Sequence, residues 1–277
     1  MKQFNNKVVV VTGAASGMGR EYALEFARLG ALVAMTDVNE KALAETHAMV
    51  QKITDKYTCC EVMNIASQED VQAFAETVKN KLGNAHVIIN NAGIGGGGAP
   101  VWAQNMDQFQ LTMNINFFAV VNVTKAFLPQ LLKNQEGAVV NVSSVFGLIG
   151  TPGTSDYCAS KFAVRGFSES LMVELADTPI SVHLVHPGGI KTNIAKDSKN
   201  GAEFEEKYLK TSPLTAVRIV IDGIKTGKQR MVFGHQSSLL RFLTLLPLKL
   251  RNWILNREMS DLRDPEHYQL LSAMEKQ

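Results

Sequence analysis

The chain alternates between short β-branched apolar runs and longer segments whose apolar positions recur every three or four residues. Val8 to Val11 is continuously apolar, the pattern of a strand buried on both faces. Tyr22, Ala23, Phe26, Ala27 and Leu29 then fall at helical spacing, and Gly30 closes that helix. Leu32 to Thr36 reads as a second strand ending at Asp37, which completes a βαβ unit. The same reading predicts helices over 41–54, 68–82, 106–132 and 155–175, the second of them introduced by Ser67 with Asp70 three residues on. Strands are expected at 57–63, 86–89, 138–142, 180–185 and 231–233. Strands alternating with helices throughout predict an α/β protein built on one Rossmann-type, doubly wound parallel sheet. Gly95 to Gly98 reads as a mobile loop.

Composition changes this picture little. Of 277 residues, 45% are hydrophobic and 19% charged, enough for a well-filled core. A formal charge of +2 argues against a chain-wide nucleic-acid footprint, so no nucleic-acid partner is expected. Cys59, Cys60 and Cys158 form no C-x-x-C pair, and neighbours on a strand point to opposite faces. Neither a disulfide framework nor a metal site is expected, which fits a reducing compartment. The N-terminus lacks the pattern of a signal peptide, and no apolar run approaches the roughly 20 residues of a membrane span. The expectation is a cytoplasmic protein. Absence of G-x-S-x-G and H-E-x-x-H segments removes the usual hydrolase readings.

Candidate chemistry begins in the first βα turn, where Gly13, Gly17 and Gly19 open a helix after a buried strand. Glycine permits positive φ and close approach of a pyrophosphate, while the helix N-terminus supplies N–H donors and partial positive charge. The spacing is G-x-x-x-G-x-G and not G-x-G-x-x-G, so a tight turn without ligand is the alternative. Asp37 falls where a dinucleotide-binding unit places a carboxylate that reads the adenosine ribose. With no lysine or arginine at Ser16 or Val38 to offset repulsion of a 2′-phosphate, it favours NAD over NADP. Further on, Tyr157 and Lys161 share one face of a predicted helix. A unit charge at ~4 Å and an effective dielectric of ~20 is worth roughly 4 kcal/mol, enough to bring a phenol from about 10 to about 7. A group titrating there is suited to proton transfer.

Taken together, these segments resemble the short-chain dehydrogenase/reductase family from about residue 7 to 192. The family's Thr-Gly-x-x-x-Gly-x-Gly motif matches Thr12 to Gly19, and its Asn-Asn-Ala-Gly motif matches Asn90 to Gly93. The asparagine of its fourth helix matches Asn116. Its serine, thirteen residues before the tyrosine, matches Ser144 and not Ser143. Its Tyr-x-x-x-Lys matches Tyr157 and Lys161, and its Pro-Gly loop matches Pro187-Gly188 with Thr192 beyond. The resemblance implies that Tyr157 exchanges a proton with the substrate oxygen and that Ser144 polarises that oxygen. It implies that Lys161 lowers the tyrosine pKa and holds the nicotinamide ribose, and that Asn116 anchors a proton-relaying water. The implied cofactor-binding set is Gly13, Ser16, Gly17, Met18, Gly19, Asp37, Asn64, Ile65, Asn91, Ala92, Gly93, Tyr157, Lys161, Pro187, Gly188, Ile190 and Thr192, with Asn90 beside the adenosine ribose. One departure stands out: Asn64 replaces the family's usual aspartate; its side-chain carbonyl can still accept a hydrogen bond from the adenine amine, so the expectation is a weaker or altered contact with no loss of the site. His183 and His186 flank a strand end, where alternation turns one of them to a packed face as a structural histidine.

Residues 1–236 are thus expected to form the dinucleotide-binding catalytic domain, with 193–212 as a substrate lid and 237–277 as an apolar, basic extension. Between residues 237 and 257 the only charges are Arg241, Lys249, Arg251 and Arg257, set among Leu239, Phe242, Leu245, Leu248, Leu250, Trp253 and other apolar residues, and Pro247 breaks any helix. Three readings stay open for this stretch: packing within the protein or its oligomer, cover for a substrate pocket, or peripheral contact with a membrane surface. The expected activity is NAD(H)-dependent interconversion of an alcohol and its ketone or aldehyde, on a lipophilic substrate of long-chain alcohol, retinoid or steroid type. Small polar ketones such as acetoin or sugars are the alternative substrates, and a non-catalytic NAD sensor the alternative class. The resemblance also implies a homodimer or homotetramer.

Overall fold

A computed structural model describes residues 1–195, 201–260 and 265–274. Seven parallel strands, β1 (Val8–Thr12), β2 (Leu32–Asp37), β3 (Cys59–Val62), β4 (Val87–Asn90), β5 (Gly137–Val142), β6 (Ile180–Pro187) and β7 (Arg230–Phe233), form one sheet in the order β3-β2-β1-β4-β5-β6-β7. The helices are α1 (Gly17–Arg28), α2 (Glu40–Gln51), α3 (Gln68–Leu82), α4 (Met106–Met113), α5 (Ala119–Lys133), α6 (Ser155–Glu174), α7 (Gly201–Tyr208), α8 (Pro213–Thr226), α9 (Ser237–Leu243), α10 (Leu248–Glu258) and α11 (Pro265–Met274).

Two-residue alternation divides the sheet between two apolar layers. Val9, Val11, Val33, Met35, Val87 and Ile89 pack with α1 and α8, whereas Val8, Val10, Ala34, Ile88 and Val139 pack with α3 and α5. Burying each valine side chain is worth about 1.5–3 kcal/mol, so a charge at Val10 would break the sheet at its centre. Cys59 and Cys60 divide between the two layers, as their adjacency predicts.

Because both faces are covered, His183 and His186 are both fully buried, not one of them alone. Residues 106–133 are one helix by length and are long and apolar enough to cross a membrane, which a search for apolar runs does not anticipate. Here the helix packs on α3, α6, β4 and β5, and its bonding pattern widens to a π-turn over Asn114–Phe118. The sheet order reverses between β1 and β4, which opens a crevice at their carboxyl ends.

Candidate active site

At that crevice the first βα turn is built by close approach. Gly13 has φ +67°, and a Cβ there would lie 2.8 Å from the Cα of Ala92; Gly17 has φ +53°, and a Cβ would lie 2.9 Å from the Thr192 side chain. Side chains would fill this cradle, so both the fold and any ligand require glycine here. Asn91 donates from Nδ2 to the Thr12 and Gly13 carbonyls, and Thr12 Oγ1 accepts the Asn91 and Ala92 N–H groups at 3.0 and 3.1 Å. The ends of β1 and β4 are thereby locked together. Ser16 caps α1 with no side-chain hydrogen bond, leaving the N-terminal amides of Gly17, Met18 and Gly19 directed at the crevice. Met18 and Ile190 bury their side chains in the core, so only their backbones can serve a ligand. Ile65 packs half-buried against the other layer.

Asp37 ends β2 with Oδ2 accepting the Ala15 N–H at 3.0 Å and Oδ1 accepting the Asn39 N–H at 2.9 Å. Its carboxylate therefore orients the glycine turn and retains lone pairs for a ribose. The nearby guanidinium of Arg20 is turned away, donating to the Ala15 carbonyl and to Thr46 and pairing with Glu45. Asn64 has the position expected of it, but its Oδ1 already accepts the Ala66 N–H at 3.0 Å. Asn90 lines a small cavity with Thr12, Ile65 and Ala92. It is buried, donating to Asn141 at 2.8 Å and to Thr124 at 3.2 Å, because it lies within β4 and points between strands and helix. Pro187 ends β6, and Gly188 donates its N–H to the Phe233 carbonyl, holding the following loop against β7. Of the 193–212 stretch, Lys196 to Asn200 lie outside the described residues; α7 occupies its middle.

Ser144, Tyr157, Lys161 and Asn116 converge beside this cradle. The Ser144 hydroxyl accepts the Phe146 N–H at 3.1 Å and lies near enough to the Tyr157 hydroxyl to favour its ionised form. The Lys161 ammonium lies 5.6 Å from the Tyr157 ring centroid and donates to the Val142 carbonyl at 3.1 Å. Asn116 sits in the π-turn, a distortion often found at functional sites. Its Oδ1 accepts the Ile94 N–H at 2.8 Å, and its Nδ2 donates to the Ile94 carbonyl and Ser160. Gly93 lies between Asn116 and Lys161, where a Cβ would come within 3.0 Å of the amide oxygen and 3.4 Å of the ammonium. Ser143 is structural: its hydroxyl donates to the Lys161 carbonyl and ties α6 to the end of β5.

The electrostatics depart from the expected phenol near 7. Burial pushes Tyr157 up to about 12, with the Ser144 hydroxyl pulling the other way, while burial pulls Lys161 down to about 8. Desolvation of both groups outweighs their mutual influence at this separation. Lys161 is buried with a carbonyl as its protein partner, which leaves N–H donors for the hydroxyls of a bound ribose. The residues present therefore fit a nicotinamide dinucleotide.

One supporting residue, Asp156, was missed from sequence, and a second, His186, was read there only as a candidate structural histidine. Asp156 is fully buried next to Tyr157; its Oδ2 accepts from Gly97 N at 2.8 Å and Thr112 Oγ1 at 3.0 Å, and its Oδ1 from Tyr157 N at 2.8 Å. Gly96, at φ +84°, leaves no room for a Cβ, which would meet that carboxylate at 2.7 Å. The glycine run expected as a mobile loop is thus pinned to the helix that carries Tyr157. His186 donates from Nδ1 to the Ser144 carbonyl at 2.8 Å, and burial pulls its pKa down to about 4. No local signal marks either role, since each residue acts through a contact remote in sequence.

The extension closes the other side. Leu243, Leu255 and Met259 form a small cluster with Ile149, against which Phe146, Leu240, Leu246 and Ile254 pack. Phe146 in turn meets the Tyr157 ring edge-on at 6.2 Å between centroids. On the opposite rim, Trp102 donates to the His267 carbonyl at 2.9 Å and meets Tyr268 edge-on, anchoring α11.

Residues 7–203 match the family model described as short chain dehydrogenase. SadH of Mycobacterium tuberculosis is 39% identical over 248 residues, covering 86% of this chain and 89% of that protein. Epidermal retinol dehydrogenase 2 of Mus musculus is 37% identical, covering 90% and 81%. Estradiol 17-beta-dehydrogenase 11 of Macaca fascicularis is 34% identical, covering 88% and 79%. Among solved structures, a short chain dehydrogenase/reductase from Burkholderia phymatum in complex with NAD superposes with a TM-score of 0.79 at 26% identity, covering 96% of this chain and 98% of that one. The glycine cradle, the Ser144–Tyr157–Lys161 cluster and these likenesses lead to one conclusion: the chain is an oxidoreductase and belongs to the short-chain dehydrogenase/reductase family.

Proposed function

We propose that this enzyme interconverts a lipophilic alcohol and its ketone or aldehyde with NAD(H) as cofactor. The observation that carries the substrate class is the apolar wall beside Tyr157, where Phe146 and Ile149 are backed by leucines of α9 and α10. The names of the retinol and estradiol dehydrogenases among its relatives support the same class. The cofactor choice rests on Asp37 at the ribose position and on Arg20 being engaged elsewhere.

The chain's own groups account for proton transfer and positioning. Tyr157 as the phenol donates its proton to the carbonyl oxygen in reduction and is left as the phenolate; in oxidation it is the phenolate form that accepts the hydroxyl proton. Ser144 holds the same oxygen, and its main chain is fixed by His186. Lys161 binds the nicotinamide ribose and favours the phenolate, and Asn116 fixes the neighbouring loop and anchors a proton-relaying water. When bound, the nicotinamide supplies or takes up the hydride. Residues 1–236 act as the catalytic unit, with 193–212 covering the substrate, and the enzyme works as a homodimer or homotetramer.

Turnover along a series of secondary alcohols of rising chain length tests the substrate class, with kcat/KM expected to climb with length. A preference for acetoin or sugars would overturn it. NADH is expected to bind more tightly than NADPH; the reverse order would overturn the cofactor assignment.

A further inference from the structure

Helices α9 and α10 bury one side and leave the other apolar. Leu239, Phe242, Leu245, Leu248, Leu250 and Trp253 are between 46% and 79% exposed, although Leu243 and Leu255 of the same helices are core residues. Leu239 and Phe242 lie one helical turn apart on α9, as do Leu250 and Trp253 on α10. Packing among the described residues does not account for these side chains, so something else covers them or they rest on another phase.

The charges decide between occupants. Between residues 237 and 257 every charged residue is basic, and the first carboxylate after them is Glu258. Arg241, Lys249 and Arg257 are exposed, and the Arg257 guanidinium lies 5.8 Å from the Trp253 ring centroid. In a two-fold pairing the same patch faces itself, so a second copy would set these cations against their own equivalents. An anionic lipid surface instead offers apolar depth to the leucines and tryptophan and negative headgroups to the arginines and lysine.

We infer that the α9–α10 face is a membrane-docking surface for bilayers containing anionic lipid. The buried side of the same helices packs on Phe146 and Ile149, so docking would place the substrate entrance beside the bilayer. That purpose rests on the lipophilic-substrate reading above; the docking itself does not.

The test is co-sedimentation of the full chain with phosphatidylcholine vesicles, with and without phosphatidylglycerol, read without any turnover. Binding is expected only with phosphatidylglycerol, weakening as salt rises to about 0.5 M. A blue shift of tryptophan emission on binding should vanish in Trp253→Phe. The Arg241→Glu/Lys249→Glu pair should bind at least about tenfold more weakly, and Leu245→Ser should also weaken binding. Both variants should keep the parent's circular dichroism and NADH affinity. Failure of the parent to sediment, or unchanged binding of the charge-reversed variant, would overturn the inference. So would a parent whose Trp253 is shielded from aqueous quencher by self-association that Leu245→Ser abolishes.

Discussion

The carboxyl edge of the sheet and the C-terminal extension are both lined by residues that look unremarkable in isolation, yet they are built in opposite ways. At the edge directional hydrogen bonds dominate: Thr12 receives two amides, Asn116 holds both ends of Ile94, and Asp156 accepts three donors. In the extension the contacts are mostly apolar and one-sided, with a small buried cluster beneath an exposed leucine and tryptophan face. The edge must hold reacting atoms to a fraction of an ångström, which directional hydrogen bonds achieve. Under the proposed function, the extension only has to exclude water and accept a greasy molecule, which non-directional packing achieves. That proposal separates chemistry from specificity in the fold.

The sharpest way to break this contrast is Tyr157→Phe. Turnover should fall by about 10²–10⁴-fold while NADH affinity is retained, measured by steady-state kinetics and cofactor fluorescence. Residual activity near the parent's would remove Tyr157 from the mechanism. Next in size is Asp156→Ala, which strands the Gly97 and Tyr157 amides and leaves the Thr112 hydroxyl only the Gln108 carbonyl as acceptor. Stability in urea should drop by about 1–3 kcal/mol for an unpaired buried donor, and kcat by up to about 10²-fold as Tyr157 loses its footing. An unaffected kcat would show that the glycine run and the tyrosine are independent.

A smaller effect appears only in acid. His186 is buried with its pKa pulled from 6.5 down to about 4. Between those values the unfolded chain binds the proton and the folded chain does not, so stability rises with pH across that window and falls on acidification. His186→Asn, which can still donate to the Ser144 carbonyl, should remove about 1.4 kcal/mol per pH unit from the slope of unfolding free energy between pH about 4 and 6.5. Its turnover at neutral pH should stay close to the parent's. An unchanged slope would mean that other groups govern acid sensitivity. Smallest of all, Leu245→Ser should alter folding stability by no more than about 0.5 kcal/mol, because that side chain is exposed. A loss of several kcal/mol in thermal or urea unfolding would show that the extension is as tightly built as the edge.

The sequence by itself determined the sheet. Continuous valine runs read as strands covered on both faces, and their alternation with amphipathic helices predicts a doubly wound parallel sheet, whereas the order of its strands came only with the tertiary structure. It also marked the glycine turn, Asp37 and the Tyr157–Lys161 pair through local spacing, while Ser144 was marked by the family resemblance. Tertiary structure alone decided the rest. The π-turn at Asn116 gives no local signal within a helix that reads as unbroken. Asp156 and His186 matter through partners 59 and 42 residues away, Gly97 and Ser144 respectively. The Tyr157 and Lys161 pKa values are set by desolvation, which no spacing of residues encodes. And whether the leucines of 237–257 lie inside or outside depends on how much of them Phe146 and Ile149 can cover, a quantity fixed only when the chain has folded.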